Sequence, residues 1–224
     1  MNKAQAWINL LRLSNTPTVI SNVMVGLGLG MAAHQLQWSD SSFPPNFTPL
    51  ITLVLIMIAL LSAYFGGLVL NDVVDVEHDK KHRPLRPIPM GVIPKKQATL
   101  IGSALLVLPV LIAMCTQVRA AYFMIALSSC ILIYTFLHRY LLPSLIFMGV
   151  CRGLVYVVAF SAFDVAFQAG PLLIFAVGIT WYTAVLTLIA KNEHTHNKTI
   201  RWFVLLLLPA AFIPSLIYYT QFQL

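Results

Sequence analysis

Apolar residues in this chain fall in long runs, at residues 17–33, 50–70, 98–115, 120–137, 141–163, 171–190 and 202–219, with short polar loops between them. Each run is near the roughly 20 residues that a helix needs to cross the hydrocarbon of a bilayer. The pattern predicts an all-α fold: a polytopic bundle of seven transmembrane spans forming a single membrane domain over residues 1–224, without internal repeats or a low-complexity linker. Ahead of the first run, residues 6–13 mix Trp7, Leu10 and Leu11 with Arg12, which predicts a short helix within residues 1–14 lying in the membrane interface. Arg12, Asn15, Pro17, Ser21 and Asn22 interrupt any clean signal-like core, so this segment is expected to be retained.

Composition removes the soluble alternatives. With 59% hydrophobic and 9% charged residues among 224, and mean hydropathy +0.83, the chain is too apolar for a soluble domain, which carries about a quarter charged residues. A net charge of +7 would suggest nucleic acid in a soluble protein; in a membrane protein it reports topology. The loops assigned to one side carry 12 of the 14 Lys and Arg; Arg119 lies on the other side and Arg152 lies inside a span. That bias predicts an inner or plasma membrane protein, with its N-terminus and residues 71–97 cytoplasmic and its C-terminus outside. Cys115, Cys130 and Cys151 stand singly in apolar runs and read as small core residues.

Four of the seven acids fall within residues 72–79, at the cytoplasmic end of the second span. On a continuing helix Asp72, Asp75 and Asp79 are related by i+3 and i+4 and stack on one face, with Asn71 beside them and Glu77 turned away. Like charges so aligned repel one another. One explanation is a solvated run offset by Lys80, Lys81 and Arg83. The other is a set of hard oxygen ligands for Mg²⁺, which favours a few carboxylates together with substrate phosphate oxygens, with facing basic residues holding a diphosphate. The position at a membrane mouth favours the second. Arg152, the one charge within a span, should face the bundle interior, either as a substrate group or bonded to backbone carbonyls. Gly26, Gly28 and Gly30 are spaced for close helix packing.

At these residues the sequence resembles the UbiA superfamily of intramembrane prenyltransferases. Asn71, Asp72, Asp75 and Asp79 fill its first motif, N-D-x-x-D-x-x-x-D, and Arg86-Pro87-Ile88-Pro89-Met90-Gly91 resembles its R-P-I-P-S-G stretch. Tyr134 through His138-Arg139 looks like its Tyr followed by a basic pair, residues 12–22 are similar to its first helix, and residues 148–154 are similar to the EboC-like branch. The resemblance implies a helical bundle whose cavity opens to lipid. It also implies prenyl transfer from an allylic diphosphate to a small, often aromatic acceptor. Asp72, Asp75 and Asp79 would then hold Mg²⁺, Arg86 and Arg139 would bind phosphate oxygens, and Asn22 and Tyr134 would line the cavity. The second Asp-rich motif is reduced to the loop 191–201, where Glu193 would be the second metal ligand, with Lys191 and Lys198 near the diphosphate. Seven spans instead of the usual nine imply a fold shortened at the C-terminus, its missing wall absent or supplied by a partner subunit. Two other readings stay open: a small ion-coupled carrier, and a catalytically weakened member that binds isoprenoid lipid.

Overall fold

A computed structural model of the chain describes residues 2–37, 48–163 and 169–192, together with Leu207 and Pro209. The seventh apolar run and the residues Glu193 and Lys198 lie outside the described residues, as does the side chain of Lys191. Among the described residues every regular element is helical: α1 (Lys3–Leu11), α2 (Thr16–Gln37), α3 (Thr48–Val74), α4 (Val76–His82), α5 (Lys95–Met114), α6 (Val118–Leu137), α7 (Leu141–Ser161) and α8 (Ala169–Asn192). Six stretches among them are long and apolar enough to cross a membrane, and they coincide with the first six runs read from the sequence.

Helix α1 begins where the Asn2 side chain accepts the Gln5 N–H at 2.8 Å. It forms where the sequence predicts a short interfacial helix, but it is docked onto the bundle. Ala6 and Leu10 are almost fully buried against Val69 and Val73 of α3, Ile88 and Ile93 of the following loop, and Ala98 of α5. The chain then turns through Arg12, which has left-handed backbone (φ 45°), and a 3-10 turn at Leu13–Asn15. Pro17 sits in the first turn of α2, where its missing N–H would have had no helical partner.

The spans close a ring: α2 packs on α3, α3 on α5, α5 on α6, α6 on α7, and α7 on α2, while α8 lies against α7. Close approach depends on small residues. A Cβ on Gly26 would meet the Ala159 Cβ at 2.8 Å, and one on Gly149 would meet the Thr180 carbonyl oxygen at 2.6 Å. Gly30 is similarly packed, against Phe163, whereas a Cβ on Gly28 meets open space, so only two of the three expected glycines serve the α2–α7 contact. In α5, Pro109 cannot donate to the Leu105 carbonyl. The Ser62 hydroxyl of α3 donates to that oxygen instead, at 3.0 Å, and Ser128 of α6 donates to the Leu106 carbonyl at 3.2 Å. Without water in the bilayer core such carbonyls need protein partners, so these hydroxyls both satisfy the proline-containing helix and tie three spans together. Large apolar side chains such as Leu100 and Val177 point outward, as a lipid-facing surface requires.

Candidate active site

The carboxylates collect at one end of the ring, where α3 meets α4. Asp75 stands between these two helices with φ −83° and ψ 0°, and the helical ladder runs through it: its N–H donates to the Asn71 carbonyl at 3.0 Å, and the Asp79 N–H donates to the Asp75 carbonyl at 2.8 Å. The face on which the acids fall therefore follows helical spacing. At about 100° per residue, Asp79 returns to within about 20° of Asp72, while Asp75 stands about 60° away.

The ion pairs follow that division. Asp72 and Asp79, with side chains 6% and 3% exposed, share the Arg86 guanidinium at 3.1 and 2.7 Å. Asp72 also accepts from Arg12 at 2.9 Å. Asp75 instead faces the C-terminal end of α6, where it meets His138 Nε2 at 3.0 Å and accepts from Arg139 at 3.0 Å. His138 Nδ1 lies 2.9 Å from the Thr135 carbonyl oxygen, so both ring nitrogens face oxygen atoms. Glu77 points away as expected: it is exposed and pairs with Lys80 at 2.9 Å, whose ammonium holds its carboxyl below the usual range. The structure thus brings together Asp72, Asp75, Asp79, Arg86 and Arg139. It pairs the two arginines expected to face phosphate with the acids themselves.

Local sequence explains how Arg86 is held. The loop after α4 folds on itself, with the Met90 N–H donating to the Arg86 carbonyl at 3.0 Å, and Ile88 and Ile93 buried beneath α1. Gly91 takes φ +73° with no neighbour near a would-be Cβ, so the glycine is required by backbone conformation and not by space. Met90, where the resembling motif has Ser, is 46% exposed and touches none of this framework's requirements.

Beneath the acids a cavity of about 300 Å³ opens between α2, α3, α6 and α7. Leu60, Ala63, Leu68, Leu127, Ile131 and Val155 give it apolar walls, and Arg12, Asn15, Thr18, Tyr64, Asn71, Tyr134 and Arg152 add polar groups. Tyr134 lines it as expected. Asn22 is not among the lining residues; it accepts a long hydrogen bond, 3.5 Å, from the Tyr156 hydroxyl one helix away. Arg152 faces the bundle interior, as the cost of a charge in lipid demands. The Asn71 Oδ1 atom is buried and without a hydrogen-bond partner among the described residues.

Two participants escape a reading by motif. Arg12 is given no role at the site by the sequence reading, yet it both lines the cavity and pairs with Asp72; its left-handed backbone costs about 1–2 kcal/mol, set against that part-buried contact. His138, the first of the basic pair after Tyr134, is a direct partner of Asp75. The one signal available for both was their place in stretches resembling family motifs.

Over 89 residues the chain is 38% identical to the digeranylgeranylglyceryl phosphate synthase of Sulfolobus acidocaldarius, a match covering 40% of this chain and 27% of the relative. Over 138 residues it is 28% identical to the enzyme of that name from Methanococcus aeolicus, covering 62% and 44%. The matched segments therefore span less than half the length of these relatives. Among solved structures, a digeranylgeranylglyceryl phosphate synthase superposes with TM-score 0.74 at 18% identity, over 99% of this chain and 79% of that one. A UbiA homologue from Archaeoglobus fulgidus, bound to GPP and Mg²⁺, superposes with TM-score 0.68 at 16% identity, over 96% and 77%. These structures share the helical fold. The model of the UbiA prenyltransferase family matches residues 23–221, nearly the whole bundle with its aspartate-bearing end, and the chain is a multi-pass membrane protein belonging to that family.

Proposed function

We propose that this protein transfers a prenyl group from an allylic diphosphate to an acceptor held in the cavity between α2, α3, α6 and α7. The observation that carries the reading is the gathering of two buried carboxylates, Asp72 and Asp79, a partly buried third, Asp75, and a ring of cations at the end of an apolar-walled cavity.

The donor set suits Mg²⁺. Asp72, Asp75 and Asp79 offer hard carboxylate oxygens, and Asn71 Oδ1, without a hydrogen-bond partner among the described residues, adds a neutral one beside them. Among the described residues no group of three metal-ligating side chains is brought together; Arg12, Arg86, His138 and Arg139 are the partners of the carboxylates here. A divalent ion on those acids would neutralise the diphosphate and favour its departure. The same arginines then supply donors for phosphate oxygens, since a guanidinium serves carboxylate and phosphate equally well. Below them, the apolar walls exclude water that would quench an allylic cation, and Tyr64 and Tyr134 present aromatic faces that favour cationic charge.

The relatives' names point the acceptor toward a glyceryl phosphate lipid instead of the aromatic compound suggested by the family resemblance. The carrier reading is weaker: Arg152 apart, the charges gather at one end of the bundle, not at its middle, and no repeat supplies a second half. Titrating purified protein with a non-hydrolysable prenyl thiolodiphosphate, with and without Mg²⁺, tests the donor site. Binding that requires Mg²⁺ and is lost in Asp72→Asn is expected; Mg²⁺-independent binding would refute the assignment. Glu193→Gln measured beside Asp75→Asn asks whether the second loop holds a second ion. A loss on the same scale indicates two ions, and wild-type behaviour indicates one. Tight, Mg²⁺-dependent binding with no turnover would leave an isoprenoid-binding family member in place of an enzyme.

A further inference from the structure

The arginines that reach the three aspartates are matched. Arg12, Arg86 and Arg139 each contact an aspartate within 3.1 Å, and His138 joins them on Asp75. Arg152 differs. It lines the same cavity, partly buried, and among the described residues no carboxylate pairs with it. It lies deeper than the acids. Counted along α7 it is eleven residues past Leu141, about 16 Å into the helix, and Tyr64, which shares its cavity wall, is eight residues before Asp72, about 12 Å from the acidic end. Tyr64, Arg12 and Arg152 all line this one cavity.

A guanidinium beside an apolar cavity, with no carboxylate partner among the described residues, is costly unless something neutralises it. Lipid cannot, because the side chain faces inward. The outer site cannot either: a diphosphate anchored at Asp72, Asp75 and Asp79 sits a helical depth away. We infer that Arg152, with Tyr64 beside it, forms a second anion site that recognises a negatively charged group on the acceptor and so selects anionic over neutral acceptors. This rests on the prenyl-transfer reading and deepens it. With the donor's charge held at the mouth and the acceptor's charge held below, the reacting carbon and its nucleophile come together in the apolar section between them. A neutral acceptor would bury itself in the same cavity without relieving the arginine.

The test uses pairs of probes that differ only in charge: a monoalkylglycerol phosphate against the monoalkylglycerol of the same tail, and 4-hydroxybenzoate against 4-hydroxybenzamide. Binding to the full-length protein in nanodiscs is measured directly, so the result does not depend on turnover. Wild type is expected to prefer the anionic member of one pair by about tenfold to a hundredfold, the range for a charge-assisted hydrogen bond, and the pair that discriminates tells phosphate from carboxylate. Arg152→Gln should bring that ratio close to one while leaving Mg²⁺-dependent binding of the thiolodiphosphate within about twofold, and Arg152→Lys should keep part of the preference. A wild-type ratio near one in both pairs would overturn the inference even if the glutamine variant failed to fold. So would a preference that survives Arg152→Gln, or a loss of thiolodiphosphate binding as large as the loss of acceptor binding. If discrimination is found but no prenyl transfer occurs, the anion site stands and the enzymatic reading fails.

Discussion

Replacing Arg86 by glutamine isolates what the guanidinium does for the buried acids. Asp79 would lose its sole ion-pair partner among the described residues, a contact of 2.7 Å to a carboxylate 3% exposed, whereas Asp72 would keep Arg12. Two charges about 4 Å apart attract by about 4 kcal/mol at an effective dielectric near 20. Breaking a buried pair by removing one partner costs about 3–5 kcal/mol, because the remaining charge is left desolvated. Arg86 is 21% exposed, so water can reach the vacated place and the lower end, about 3 kcal/mol, is expected. At about 2–4 °C per kcal/mol for a chain of this length, the apparent melting temperature in detergent should fall by about 6–12 °C. The double variant Arg86→Gln/Asp79→Asn removes the orphaned charge and should recover most of that loss, giving a strong coupling in a double-mutant cycle. A single variant that melts within about 2 °C of wild type, or a double variant as unstable as the single, would show that Arg86 does not neutralise these acids.

The opposed orientations of neighbouring acids predict a sharp contrast in activity. Asp75→Asn should lower prenyl transfer by about a hundredfold or more, as the loss of a group stabilising transition-state charge does, while Glu77→Ala, exposed and paired only with Lys80, should stay near wild type. Equal losses at 75 and 77 would contradict the facing argument. Gly149→Leu forces a side chain into the Thr180 backbone and should destabilise the bundle by about 1–3 kcal/mol in detergent melting, whereas Gly28→Ala enters open space and should be neutral or slightly stabilising. Membrane orientation is tested by cysteine labelling in intact cells: a probe at Ser41 should react from outside and one at Arg83 only after permeabilisation, and the reverse would overturn the positive-inside assignment.

The spans were legible because lipid demands long, continuous apolar helices, and the first six runs became helices at nearly the expected positions. The outward turn of Glu77 and the inward turn of Arg152 were legible for related reasons, helical spacing in one case and the cost of charge in lipid in the other. What the sequence left hidden was pairing between distant segments. Arg12 and Asp72 are 60 residues apart, and His138 and Asp75 are 63 apart; nothing local in either stretch specifies the partner. Spacing also could not separate Gly28 from Gly26 and Gly30, since which face of α2 meets α7 depends on the neighbour. The docking of α1 was hidden likewise, because Ala6 and Leu10 read equally well as groups dipping into lipid.

The account stands or falls on whether the acid-lined mouth activates an allylic diphosphate. The most direct measurement incubates purified protein in nanodiscs with geranylgeranyl diphosphate and an anionic acceptor, following released diphosphate and the mass of the prenylated product. Both should appear in equal amounts, require Mg²⁺, and vanish in Asp72→Asn while that variant remains folded. Absence of product and of diphosphate release in the wild type with Mg²⁺ present, or equal rates in wild type and Asp72→Asn, would contradict it.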